Sequence, residues 1–270
     1  MARFRFPSAE LWRFGLLFLA PALTLVAIAE EVAEREPLRF DHLLVPGIGP
    51  LHFEPLTLFF GVIAVVGGGI GLVAVASIPI GHLITRRRYD AALFTTLALG
   101  GAWIINRLLK IWVARPRPEV QMSPLPAEWK LVLAGVIGAA MIAAWPTRWR
   151  RVALAAFAAF SALGVVDLIV TAAIPLSVHG DSFPSGHAVG SMTLAAALVV
   201  LTWKTRWRWL VCSGGGIFVV VVGVSRIYFG LHYASDIFGG WLLALAWVVL
   251  LSLLFRSRLK RDAAAEPSRA

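Results

Sequence analysis

The chain has 270 residues, of which 59% are hydrophobic and only 15% charged, with a mean hydropathy of +0.80; soluble domains hold roughly 45–50% apolar residues, so this is a polytopic membrane protein. The formal net charge of +10 does not indicate a nucleic-acid binder, because the basic residues sit in short groups between apolar runs and not on one soluble face. The single cysteine, Cys212, lies inside an apolar run, which excludes an intrachain disulfide and a cysteine metal site.

The first apolar run, residues 14–29, follows Arg3, Arg5 and Arg13. Its close, Ala27-Ile28-Ala29, also fits a signal-peptidase site, but the run extends to about 18–20 residues, enough to span, and is read as a retained anchor. Glu30, Glu31, Glu34 and Glu36 then open an outer loop that reaches Glu54. The second run, residues 56–84, ends at Arg86-Arg87-Arg88, an inner anchor. Its glycines at 67, 68, 69 and 71 place small residues on one helix face and predict close helix packing. The third run, residues 91–113, climbs outward and delivers Lys110.

Two further runs, residues 129–145 and 152–175, flank a basic, aromatic joint at Arg148, Arg150 and Arg151, which predicts a hairpin that goes in and returns. Asp167 in its second arm is read as a packing carboxylate. The sixth run starts at Pro184-Ser185-Gly186-His187 and stops before Lys204, Arg206 and Arg208; the seventh covers residues 209–224. The eighth, residues 237–255, ends in Arg256, Arg258, Lys260 and Arg261, and residues 256–270 are expected to form a disordered inner tail. The expected fold is therefore all-α, a bundle of eight transmembrane helices in one membrane-embedded domain over residues 1–255, with a hairpin at about 127–175. Most of the 25 Lys and Arg fall on the inner side in this layout. Both termini are then inside, and three polar islands meet at the outer surface.

The islands carry the chemistry. They read Lys110, six residues, Arg117-Pro118; then Pro184-Ser185-Gly186-His187; then Ser225-Arg226, five residues, His232, three residues, Asp236. Ionisable groups so close to a bilayer are expensive without partners and work. His232 and Asp236 are four apart, so a helix starting here puts the carboxylate one turn beyond the imidazole, where it can orient it. Lys110, Arg117 and Arg226 supply three cations for an anionic, phosphate-like group, and arginine adds matched bidentate donors. Ser185 and Gly186 open a helix after Pro184, so backbone N–H groups can face an anion, and Gly186 lets the backbone come close. His42, His52 and His179 are read as packed or interfacial residues.

In this order and spacing the islands resemble the three motifs of the type 2 phosphatidic acid phosphatase family, at every defining position. Phe40-Asp41, the Arg-rich turn after the second run and Gly239-Gly240-Trp241 are similar to the family's surroundings, over roughly residues 40–118 and 182–255. The resemblance implies a membrane lipid phosphatase that needs no metal or other cofactor. His232 would attack phosphorus, Asp236 would fix its tautomer, and His187 would protonate the leaving oxygen and then activate water. Lys110, Arg117, Ser185, Gly186 and Arg226 would bind the phosphate. Arg115-Pro116 also looks like the first motif, but its spacing from Lys110 is two too short; Arg115 is expected to be a flanking residue that aids lipid phosphate binding. The family's common plan has six spans, so the hairpin reads as an insertion.

Family relatives imply undecaprenyl diphosphate, phosphatidylglycerol phosphate, phosphatidic acid or lipid A phosphates as substrates. The first is favoured, since bacterial-style charge asymmetry puts the site on the periplasmic face of an inner membrane, with no nucleic-acid partner. A phosphotransferase working through the same phosphohistidine and a non-catalytic lipid-binding protein are the rival readings. The site also resembles that of vanadium-dependent haloperoxidases, which are soluble.

Overall fold

The computed structural model describes residues 8–34, 38, 41, 53–118 and 181–264. Eight helices run through these residues: α1 (Ser8–Ala33), α2 (Glu54–Val66), α3 (Gly69–Thr85), α4 (Tyr89–Val113), α5 (Gly186–Thr202), α6 (Arg208–Tyr228), α7 (Ala234–Leu254) and α8 (Arg256–Ala264). Within α1, residues Gly15–Ala33 are long and apolar enough to cross a membrane, as are α4, α6 and α7, and the bent pair α2–α3 makes a fifth candidate. This is an integral multi-pass membrane protein with an all-α core. The expected hairpin at 127–175 lies outside the described residues.

α5 is the centre of the bundle. It packs against α7, α6 and α4, while α1 lies along α7. Lipid tails are as apolar as leucine, so burial from water does not hold such helices together and close fit must. The sequence accordingly puts small residues at the crossings: Ala188 and Ala197 on α5, Ala98 and Ala102 on α4, and Ala244 on α7 are almost fully buried. The outward faces carry Leu, Ile and Trp, among them Leu108, Ile111 and Trp112.

Two expectations are corrected. The second apolar run is not one helix, because the chain breaks at Gly67–Gly68 and α2 and α3 meet at 53°. Gly69 adopts a left-handed φ of 50° there, which glycine reaches without the steric cost a side chain would bring. The glycines do permit close packing, but around a break: a Cβ on Gly67 would strike Val222 of α6. Residues 256–264, expected to be disordered, form α8. It is held against the start of α4 because Asp262 Oδ2 accepts the Ala91 backbone N–H at 2.8 Å, supplying the N-terminal cap that α4 lacks, with Arg258 4.0 Å from Asp90.

Candidate active site

At the opposite end of the bundle the C-termini of α4 and α6 meet the N-termini of α5 and α7. Ala114 ends α4 in a left-handed conformation (φ 48°), its N–H closing on the Lys110 carbonyl, and this turns the chain across the bundle end. The strand-like segment that follows pairs with the residues before α5. Pro116 bridges to Asp181, Ser182 N donates to the Arg115 carbonyl at 2.7 Å, and Ser182 Oγ donates to the Pro116 carbonyl at 3.1 Å. Lys110 Nζ donates to the carbonyls of Asp181 (2.7 Å) and Ser182 (3.3 Å), leaving one of its three N–H donors for another acceptor. The first and second islands are thus stitched together across more than sixty residues of intervening chain.

The third island joins them through α7. Ser185 N donates to the Asp236 carbonyl at 3.0 Å. Gly239 and Gly240 make this approach possible: a Cβ on Gly239 would meet the Phe183 ring, and one on Gly240 would lie 3.0 Å from the Ser185 carbonyl. His232 sits in the turn between α6 and α7, its Nδ1 3.3 Å from Asp236 Oδ2, which also accepts the Tyr233 N–H at 2.9 Å. Asp236 therefore both caps α7 and holds the imidazole. Burial lowers the His232 pKa to about 4, against the hydrogen bond and charge of Asp236, which raise it. At neutral pH the ring is uncharged, with a lone pair available.

Lys110, Arg117, Ser185, Gly186, His187, Arg226, His232 and Asp236 come together at this end of the bundle, whereas Asp167, His42, His52 and His179 lie outside the described residues. Arg226, His232 and Arg117 are each close enough to His187 for their charges to act on it, and Lys110 feels Asp236 and Arg117. Five polar atoms in this cluster are buried with no hydrogen-bond partner among the described residues: the donors Arg117 Nε, Arg226 Nε and Ser185 Oγ, and the acceptors Asp181 Oδ2 and Asn106 Oδ1. Buried donors are ordinarily satisfied, so the two Nε–H groups and the Ser185 hydroxyl are donors open to a further acceptor, such as an anion. Burial lowers the Arg117 pKa, although Asp236 and Asp181 pull it up. The carboxyl of Asp181 is raised by burial, against Lys110 and Arg117.

Arg115 departs from its expected role. Its Nη1 donates to Asp236 Oδ1 (2.8 Å) and Ser235 Oγ (2.7 Å), and its Nη2 to Asp41 Oδ2 (2.8 Å). Both carboxylates are buried. Burial alone would lower the Arg115 pKa, but Asp236 and Asp41 more than offset it and raise it. A guanidinium held by two carboxylates is not free to take a lipid phosphate; it is an ion-pair bridge, and breaking a buried pair of this kind costs about 3–5 kcal/mol.

Two more residues escaped the sequence. Asn106, one turn before Lys110, is buried with its Oδ1 unpartnered among the described residues, and its Nδ2 lies 3.5 Å from where a Gly186 Cβ would stand. Its spacing of four from Lys110 was the available signal. Gly68, at the break between α2 and α3, forms the wall behind His187: a Cβ there would occupy the space of the imidazole, Nε2 included. Gly68→Ala should displace that ring, and since a shift of about 1 Å in a reacting group costs roughly 100-fold in rate, kcat should fall by about 10- to 100-fold. Wild-type kcat in a folded Gly68→Ala protein would show that the ring has room to adjust.

Against known proteins, the sequence profile of the PAP2 superfamily matches residues 91–260. Undecaprenyl-diphosphatase of Sulfolobus acidocaldarius is 37% identical over 76 residues, which is 28% of this chain and 34% of that protein. Phosphatidylglycerophosphatase B of Bacillus subtilis is 31% identical over 85 residues, covering 30% and 41%, and lipid A 1-phosphatase of Rhizobium etli is 33% identical over 91 residues, covering 30% and 37%. The chain thus spans well under half the length of these relatives. The crystal structure of a transmembrane PAP2-type phosphatidylglycerolphosphate phosphatase from Bacillus subtilis superposes with a TM-score of 0.61 at 17% identity, over 90% of this chain and 97% of that one, a likeness of fold.

Proposed function

Since this chain belongs to the PAP2 superfamily, we propose that it hydrolyses a phosphate or diphosphate carried by a membrane lipid, through a phosphohistidine and without a metal ion. The observation that carries this reading is the buried cluster in which Arg117 Nε, Arg226 Nε and Ser185 Oγ stand open beside His232 and His187. Phosphoryl transfer asks for positioning and for charge on the equatorial oxygens, and Lys110, Arg117 and Arg226 with the first turn of α5 offer both. In the first step His232 Nε2 bonds to phosphorus while the bond to the leaving oxygen breaks, and His187, protonated once the phosphate anion is bound beside it, gives that oxygen its proton. In the second, His187 takes a proton from water, whose oxygen attacks phosphorus and frees inorganic phosphate and His232.

The substrate class follows from chemistry and kinship together. The three relatives are named for undecaprenyl diphosphate, phosphatidylglycerophosphate and lipid A, all lipid-borne phosphates; undecaprenyl diphosphate is the favoured choice, for a site on the outer face. The test is phosphate release by the purified protein in detergent with EDTA, across a panel of lipid phosphates and diphosphates. Release from one lipid names the substrate. Transfer to an added alcohol without free phosphate would replace hydrolase by phosphotransferase, and silence across the panel, with metals restored, would defeat the reading.

The proposed layout has eight spans, both termini inside and the site outside. It rests on the basic groups at 86–88, 204–208 and 256–261 lying at the end of the bundle away from the site. In a Cys212→Ala background, cysteine replacing Glu54 should be labelled from outside intact cells, and cysteine replacing Thr147 or Thr205 should not. The opposite pattern overturns the orientation, and outside labelling at Thr147 alone removes the inserted hairpin.

A further inference from the structure

We propose that Arg115, anchored by Asp41, is a positioning residue that locks Asp236 in the orientation from which it aims His232. The inference rests on the proposed role of His232. It starts from the bonds on one carboxylate. Asp236 Oδ1 is held by Arg115 Nη1 at 2.8 Å, while Oδ2 takes the Tyr233 N–H at 2.9 Å and faces His232 Nδ1 at 3.3 Å. One rotation of the carboxylate satisfies all three.

That rotation is contested. Lys110 and Arg117, the cations proposed to receive phosphate, both attract Asp236. A carboxylate free to turn would be drawn toward them, neutralising the phosphate site and releasing the imidazole. Arg115 is the competing cation, bonded directly to Oδ1, and its planar fork fixes direction as well as charge. The fork is itself immobilised. Nη2 pairs with Asp41 at 2.8 Å, Nη1 also reaches Ser235 Oγ at 2.7 Å, and the guanidinium carbon lies 4.0 Å from the Tyr233 ring centroid. Asp41 in turn accepts from Ser235 N (2.9 Å) and Ser235 Oγ (2.6 Å), tying it to the first turn of α7. Asp41 lies between α1 and α2, so a segment far away in sequence completes the device.

With Asp236 so held, His232 carries its proton on Nδ1 and presents Nε2 as the lone pair. A merely structural clamp would leave that tautomer alone once the protein is folded. The experiment compares wild type, Asp41→Asn, Arg115→Lys and Arg115→Met, by turnover of the best lipid substrate and by NMR of the histidine-labelled protein, with His232 assigned through His232→Gln. Arg115→Met should lower kcat about 100-fold, the scale of a misaimed reacting group, with KM changed less than about 3-fold, and its His232 signal should become a mixture of tautomers. Asp41→Asn should move the same two readouts in the same direction by about 10-fold in kcat, and Arg115→Lys should restore part of the tautomer bias.

Wild-type kcat with an unmoved tautomer in either variant overturns the inference, as does a loss of activity that only tracks the fraction of folded protein. If Arg115→Met does not fold, the isosteric Asp41→Asn carries the decision. Should the wild type turn over no lipid phosphate while the tautomer still shifts in these variants, the functional reading fails and the positioning device stands.

Discussion

His232→Ala is expected to insert and fold like the wild type yet release no measurable phosphate, a loss of at least about 1,000-fold, as when a covalent nucleophile is removed from a pre-formed site. His232 lies in the turn between α6 and α7 and takes part in neither helix ladder, so its removal leaves both helices and the Arg115 bridge intact. The expected trace of the chemistry is a phosphoenzyme, trapped by rapid acid-free quenching with labelled lipid, present in wild type and absent in the variant. His187→Ala separates the two histidines. Without an acid for the leaving oxygen, it should lose about 100- to 10,000-fold with a lipid alcohol as leaving group and far less with a nitrophenolate, which needs no proton. Wild-type-like turnover in His232→Ala, or an equal loss with both leaving groups in His187→Ala, would defeat the respective role.

The second large effect is expected at Arg117. Its Nε is buried and unpartnered among the described residues, and no carboxylate pairs with it at salt-bridge distance there, in contrast with Arg115. A charge-assisted donor aimed at a transferring phosphoryl group contributes roughly 100- to 1,000-fold, so Arg117→Ala should lower kcat/KM by about that factor, with a clear rise in KM. Arg117→Lys should recover the charge without the planar pair of donors, and so only part of the activity. Steady-state kinetics on Arg117→Ala beside Arg115→Met makes the contrast explicit. A rise in KM confined to the Arg115 variant would mean that the nearer arginine holds the phosphate, and that counting residues from Lys110 chose the wrong one.

That contrast also shows what could be read in the chain and what could not. The three islands announce themselves because charge is rare among apolar runs, and each is local: Lys110 with Arg117, Ser185 with His187, His232 with Asp236. Helix ends were legible for the same reason, since Arg86-Arg87-Arg88 and the Arg-rich stretch after residue 255 interrupt the apolar pattern. Arg115 was misread because its meaning lies in Asp41 and Asp236, 74 and 121 residues away, and periodicity carries no information at that range. Gly68 was read as one of four packing glycines, since nothing local distinguishes a glycine that seats a helix from one that seats an imidazole. The α2–α3 break was hidden for a related reason: residues 56–84 are apolar throughout, and hydropathy alone does not distinguish a straight span from a bent one.

The central helix α5 has a consequence of its own. Its 17 residues rise about 25 Å, short of the roughly 30 Å hydrocarbon layer, and its first turn carries the proposed phosphate-binding atoms. On the proposed topology, with the basic turn of residues 203–208 at one membrane face, an upright helix of this length would put the proposed reacting centre a few ångströms beneath the headgroups of the other. A lipid substrate of such a centre would come to it sideways from its own leaflet. The concentration that governs turnover is then a surface one: diluting the lipid phosphate with inert lipid at constant total substrate slows the reaction, whereas adding more vesicles of the same composition does not.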